Sequence, residues 1–163
     1  MKQFNSKLLS HIVCLLILVF LQGYFKVLAA HDKTSFKENT ETIYYFDGTN
    51  GNDSSDGLSP KTAWKSLSKI SSLSLQPGDH ILLKRGSSFP RQYINLDRQR
   101  GSENAPIKIN AYGTGEMPVI NPEDLLKHSI LITGCEYIEV ENIEMTGGSG
   151  GIYFTWLNEK REF

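Results

Sequence analysis

Paired cysteines are what this chain most plainly lacks. It holds two, Cys14 and Cys135. Cys14 lies inside an N-terminal apolar run, so an exported chain keeps Cys135 alone and no intrachain disulfide can form. Stability must come from burial and hydrogen bonds. Net positive charge is also lacking: 17 Lys and Arg stand against 18 Asp and Glu. No basic patch suggests a nucleic-acid partner. There is no paired-cysteine metal motif and no phosphate loop, and the one Gly-x-Ser-x-Gly string, Gly147 to Gly151, lies between β-runs and not at a strand-to-helix elbow. Gly147 to Gly151 (GGSGG) is not followed by a helix carrying Lys, so it is a turn and not a phosphate cradle. Long helical periodicity is missing too.

What is present begins with an address. Lys2 and Lys7 give a positive start, Ile12 to Phe20 is unbroken apolar sequence extended to Leu21, and Val27-Leu28-Ala29-Ala30 offers small residues for cleavage. Residues 1–30 are therefore expected to be a signal peptide, cut after Ala29 or Ala30. The alternative is an uncleaved membrane anchor, against which the run is shorter than the ~20 residues a membrane span needs; after cleavage no stable span is expected. Removing Lys2, Lys7 and Lys26 takes three basic and no acidic residues, which moves the net charge from −1 to −4. Residues 31–42 are polar, charged and aperiodic, a flexible leader. Residues 43–163 then form one domain of about 120 residues, secreted, periplasmic or on the cell surface, and expected to be a monomer.

The domain opens on a lid. Ile43 to Phe46 suits a strand. Asp47 to Gly57 is crowded with Gly, Asn, Asp and Ser, types that accept left-handed backbone or bond their own main chain. Ser59-Pro60 is a helix-start signature. Ala63, Trp64, Leu67, Ile70 and Leu73 follow at spacings of three and four, which predicts an amphipathic helix of about 14 residues covering something apolar. Short β-runs follow: His80–Lys84, Tyr93–Leu96, Pro106–Ala111, Val119–Asn121, Ile130–Thr133, Tyr137–Val140, Asn142–Met145 and Gly151–Phe154. Arg85 to Ser88 is expected to break the first of them. Glu123 to Lys127 is the one other helical candidate. Strands this short, separated by Gly, Pro and Asn, argue all-β.

The late runs narrow the choice. YIEV, NIEM and GIYF each carry an aliphatic residue at their second position, and Glu141-Asn142 leaves no room for a hairpin between the first two. A chain that bends without reversing stacks as a parallel solenoid, here with about 20–25 residues per coil. Asn110, Asn121 and Asn142 are expected at the bends, in left-handed backbone and bonded to the next coil.

The segments YYFDGTNGNDSSDGLSPKTAWKSLSKI, LQPGDHILLKRG, PIKINAYGTGEMPVIN and YIEVENIEMTGGSGGIYF resemble the opening of secreted right-handed parallel β-helix proteins of the pectate-lyase-like group. The likeness covers about Ile43 to Phe154. It implies an N-terminal capping helix that plugs the first coil, a polysaccharide partner, possible in acidic form, and in lyases of the group a calcium site beside a Lys or Arg base. Such enzymes have seven or more coils; this chain has about three and ends without a C-terminal cap, leaving Ile152, Phe154 and Trp156 at an open end. It is accordingly read as the N-terminal fragment of an exported lyase or glycoside hydrolase, inactive alone. The alternative is a non-catalytic surface, adhesive or carbohydrate-binding β-helix. Catalytic residues and metal ligands stay unknown, and no cofactor-binding residue is assigned.

Several residues are chemical candidates. Asp47, Asp53 and Asp56 with Asn50 and Asn52 offer oxygen ligands for a hard cation, although Ala63 stands where a calcium loop places its Glu; a loop held by its own Asx bonds is the plainer reading. Lys84, Arg85, Arg91, Arg98 and Arg100 can pair with acidic sugars or form a solvated face. Glu139, Glu141 and Glu144 can share protons or simply be surface charge. His80 and His128 are lone histidines. Tyr153, Phe154 and Trp156 can stack on sugar rings or fill a further coil.

Overall fold

The computed structural model describes residues 41–156. The expected signal peptide and nearly all of the leader lie outside them. Among the described residues ten strands occur: β1 Ile43–Phe46, β2 His80–Lys84, β3 Ser88–Pro90, β4 Ile94–Asp97, β5 Ile107–Tyr112, β6 Val119–Asn121, β7 His128–Thr133, β8 Ile138–Val140, β9 Glu144–Met145 and β10 Gly150–Thr155. The chain is all-β, as its short β-branched runs require. The Arg85 to Ser88 break is briefer than expected. Ser88-Phe89-Pro90 is already a strand, with Phe89 fully buried between two exposed neighbours.

Every strand pair is parallel. One sheet has the order β1-β2-β5-β8, a second β4-β7-β10, a third β3-β6-β9. From β2 onward each strand joins a different sheet from the one before, and the next but two lies beside it. The registers stack like on like. Ile81 faces Ile109 and Ile109 faces Val140. Phe89, Ile120 and Met145 form a second column. Ile94, Ile130 and Ile152 form a third, with Leu96, Ile132 and Phe154 beside it. Alternation at period two sends these side chains to one interior and their neighbours outward. Phe89, Ile94, Ile109, Ile120 and Ile130 are fully buried. Burial fades along each column, and Phe154 is 58% exposed.

The bends rely on left-handed backbone. Arg91, Arg98, Glu123, Tyr137 and Asn142 all have φ between 51 and 56°. Arg91 lies between β3 and β4 and Glu123 between β6 and β7, the equivalent places one register further on. Of the three asparagines assigned to bends, Asn142 alone is left-handed. Asn110 lies within β5, and Asn121 ends β6. Asn142 Nδ2, in the bend after β8, does donate to Asn110 Oδ1 on β5 at 2.9 Å. The register advance is also less even than 20–25 residues: Ile94 pairs with Ile130 but His128 with Gly150, steps of 36 and 22. The longer step contains the excursions at 98–106 and 113–118.

The lid is where the expectation fails. No amphipathic α-helix runs from Ser59 to Leu73. Residues 59–66 are turns and bends, and a six-residue 3-10 helix, Leu67–Ser72, follows. Long-range bonds take the groups an α-helix needs. Trp64 N donates to Tyr45 O and Trp64 O accepts from Asp47 N, so Trp64 bridges in parallel to Phe46. The Asp53 carboxylate accepts from Lys65 N and Ser66 N at 2.9 Å, and Gln92 Oε1 accepts from Leu67 N at 2.8 Å. The apolar stripe still does its covering work. Of its residues, Trp64, Leu67 and Ile70 join the same core as β1, β2 and β4, and Leu73 packs against that core partly buried. Each of the first three contributes roughly 1.5–3 kcal/mol of burial as an upper value. Glu123 to Lys127 is likewise a loop, with Leu125 and Leu126 exposed. No helix among the described residues is long and apolar enough to cross a membrane.

Candidate functional site

The Asx-rich loop is tied down residue by residue. Asp47 Oδ1 accepts from Thr49 N and Asn50 N at 3.0 Å, and Oδ2 meets Lys84 Nζ at 2.6 Å. Burial pushes this carboxyl up, but the Lys84 ammonium and the two amides outweigh it and hold it below its ordinary value. Asp53 follows the same pattern: burial raises it, and Ser66, whose hydroxyl donates at 2.6 Å, together with the Ser66 and Lys65 amides brings it down. Asp56 Oδ1 accepts from Leu58 N at 2.9 Å. The three carboxylates face three different partners. Asn52 Oδ1 accepts from Ser54 N at 3.0 Å, another local turn bond. This donor set does not fit a calcium ion, and among the described residues no group of three or more His, Cys, Asp or Glu converges on a metal position.

The five cations do not converge either. Lys84 is on Asp47, Arg85 donates to Gly115 O at 3.3 Å, Arg91 pairs with Glu123 at 3.6 Å, Arg98 with Asp97 at 3.9 Å and Arg100 with Glu136 at 3.6 Å. The glutamates separate by sheet. Glu139 lies on β8 against Lys108 at 3.4 Å, Glu141 accepts from Asn110 Nδ2 at 3.0 Å, and Glu144 lies on β9 in another sheet. His80 starts β2, its amide bonded to Thr42 O. His128 starts β7 and stacks on Tyr153 at 4.5 Å, with Ser149 Oγ 3.3 Å from its Nδ1. Tyr153 faces outward. Ile152 and Phe154 sit in the inward register beyond β7, and Trp156 is 80% exposed.

Two features escaped the sequence reading. One is the outer face where Lys84 and Tyr112 are register partners beside Asp47 and Tyr45. The Tyr112 hydroxyl is buried without a hydrogen-bond partner among the described residues; burial first, then the Asp47 charge, push it up to about 12. The other is a half-open groove of about 270 Å³ between the 3-10 helix and the bend from β3 to β4, lined by Ser66, Ser68, Ser71, Arg91, Gln92, Tyr93 and Asn95. Its residues are hydroxyls, amides, one aromatic ring and one guanidinium.

These observations define an all-β protein of parallel sheets whose relatives are carbohydrate-active enzymes. No family model matches the chain. It is 30% identical over 146 residues to a lacto-N-biosidase of Bifidobacterium longum subsp. longum, covering 74% of this chain and 9% of that protein. It is 29% identical over 100 residues to alpha-1,3-galactosidase A of Akkermansia muciniphila, covering 61% of this chain and 15% of that one. The crystal structure of a GH136 lacto-N-biosidase from Eubacterium ramulus superposes with a TM-score of 0.60 at 33% identity, over 69% of this chain and 21% of that one. The native form of the same enzyme gives 0.59. The chain thus spans about a tenth to a fifth of the length of the relatives it matches.

Proposed function

We propose that residues 43–163 are the N-terminal cap and first three coils of a right-handed parallel β-helix, and that the whole protein is an exported glycoside hydrolase acting on an oligosaccharide or polysaccharide. The observation that carries this is the strand order: successive strands visit three sheets in rotation, and each returns parallel beside its predecessor. A ribbon wound without reversal produces that pattern, and parallel crossovers are right-handed almost without exception. The glycoside-hydrolase relatives favour hydrolysis over the β-elimination that the pectate-lyase-like resemblance admits. Export is supported by Lys2, Lys7, the apolar run to Leu21 and the small residues at Ala29 and Ala30.

Hydrolysis of this kind needs a facing pair of carboxyl groups. Asp47, Asp53 and Glu139 are engaged with Lys84, Ser66 and Lys108, and the chain covers only about a tenth to a fifth of its glycoside-hydrolase relatives. The chemistry is therefore assigned to later coils, and this chain alone is inactive. The test is to read the coding DNA beyond codon 163 and to assay the purified chain on galactose-containing oligosaccharides. An in-frame continuation into further short-strand coils, with no sugar released by the chain alone, is expected. Release of sugar by the 163-residue product would overturn the assignment. A second reading, a non-catalytic carbohydrate-binding β-helix, draws on those same engaged carboxylates; it requires later coils without a facing carboxyl pair.

A further inference from the structure

We propose that the groove between the 3-10 helix and the β3–β4 bend is a subsite for one neutral pyranose ring of an oligosaccharide. The geometry begins with helix type. In a 3-10 helix, side chains three apart eclipse one another. Leu67 and Ile70 therefore share the buried face, and Ser68 and Ser71 share the next face, which lines the groove. On the opposite wall Arg91 adopts φ 56° and turns the chain sharply into Gln92, Tyr93 and then β4. Gln92 Oε1 accepts from Leu67 N at 2.8 Å, which links the two walls and fixes the side-chain amide at their junction.

The groove holds hydrogen-bonding capacity that the protein does not use. Among the described residues, the Ser68 hydroxyl, Gln92 Nε2, the Tyr93 hydroxyl and the Asn95 side-chain amide make no hydrogen bond to protein, while Ser66 Oγ is bound to Asp53 and Ser71 Oγ reaches Asn95 O at 3.4 Å. Hydroxyls and amides both donate and accept, as sugar hydroxyls do. Lys127 Nζ lies 5.0 Å from the Tyr93 ring centre, and a ring lining the groove offers a surface on which a C–H face of a sugar can stack. The volume of about 270 Å³ falls just under the ~300 Å³ where small-molecule pockets begin, suited to one ring of a longer chain. The choice of neutral over acidic sugar follows from charge. Arg91 is the one charged residue lining the groove, and it pairs with Glu123 at 3.6 Å. A uronate would meet the Glu123 carboxylate beside that cation, a like charge that a neutral sugar does not bring. The choice of a sugar as ligand rests on the carbohydrate-directed reading above; the groove itself does not.

The test is a titration of the purified chain with lactose, N-acetylglucosamine and glucuronic acid, followed by amide shifts in proton–nitrogen spectra. Saturable shifts at Ser68, Ser71, Gln92, Tyr93 and Asn95 with a neutral sugar are expected, with glucuronic acid weaker. Tyr93→Ala removes the stacking ring, and Ser68→Trp fills the groove from an exposed position. Each is expected to weaken binding roughly tenfold, the size of one lost aromatic contact, with Ser68→Trp melting like the parent. Affinity unchanged in both variants, preference for glucuronic acid, or no shift with any of the three sugars overturns the subsite. Shifts confined to residues outside the groove overturn it too, and leave the glycoside-directed reading standing.

Discussion

Replacing Asp47 tests how the lid is held. Its two oxygens have separate duties: Oδ1 accepts from Thr49 N and Asn50 N, and Oδ2 faces Lys84. Asp47→Ala abolishes all three contacts on a residue only 4% exposed. Two amide bonds to a charged acceptor are worth ~2 kcal/mol net. The Lys84 side chain is 42% exposed, so its share is discounted to ~1 kcal/mol for solvent screening. The total loss is ~3 kcal/mol, which lowers the melting temperature by about 10 °C for a domain of this size. Asp47→Asn keeps an oxygen for the amides and forfeits the ion pair, so it should lose only ~1 kcal/mol. Urea denaturation of the two variants beside the parent measures both values. Equal losses for Ala and Asn, or a loss under ~1 kcal/mol for Ala, would refute the division of labour. The pH dependence has a definite sign. The folded carboxyl lies below its ordinary 3.8, so its contribution is complete above that value and fades as pH falls through the lower folded value. In Asp47→Ala that part of the acid sensitivity should vanish.

Other consequences can be measured on the same chain. Gly57 has φ +72°, and a Cβ there would lie 2.5 Å from the buried Trp64 ring, so Gly57→Ala should cost ~3 kcal/mol from backbone and overpacking together; a parent-like denaturation midpoint would contradict this. The Cys135 thiol is buried and pushed up chiefly by that burial, so a thiol reagent should leave it untouched in a chain lacking residues 1–30 until denaturant is added. Rapid labelling of the native chain would contradict it. Tyr112 should titrate near 12 by its phenolate absorbance, and Tyr112→Phe should remove that late step. Because the folded phenol is raised, its contribution to stability is lost as pH rises above the ordinary value of 10.

The sequence made the strands legible where inward residues recur at period two. HILLK and VIN place β2 and β6 to the residue, because β-branched and leucine side chains alternate there with polar or half-buried ones. Ser88-Phe89-Pro90 was not legible, since a three-residue strand offers a single inward residue, and proline argues against strand unless the edge is free of its amide. The lid stripe at Trp64, Leu67 and Ile70 located the right cover and gave it the wrong backbone. Spacings of three and four suit an α-helix, yet nothing local reveals that Asp53 and Gln92 will claim the amides of residues 65–67. The same error hid the groove, since Ser68 and Ser71 pass for the solvated side of an amphipathic helix until the 3-10 geometry aligns them. The acidic residues of the Asx loop were recognised as self-bonding from composition; the Lys84 partner of Asp47, 37 residues away, was not.

Cross-strand contacts in solution bear most directly on the proposed wound-ribbon architecture. In a sample labelled at the isoleucine methyls, nuclear Overhauser effects should link Ile94 to Ile130 and Ile130 to Ile152, and Ile81 to Ile109 in the sheet that holds β2 and β5. Close Hα–Hα contacts between consecutive strands such as β8 and β9, the mark of hairpins running in opposite directions, would contradict it.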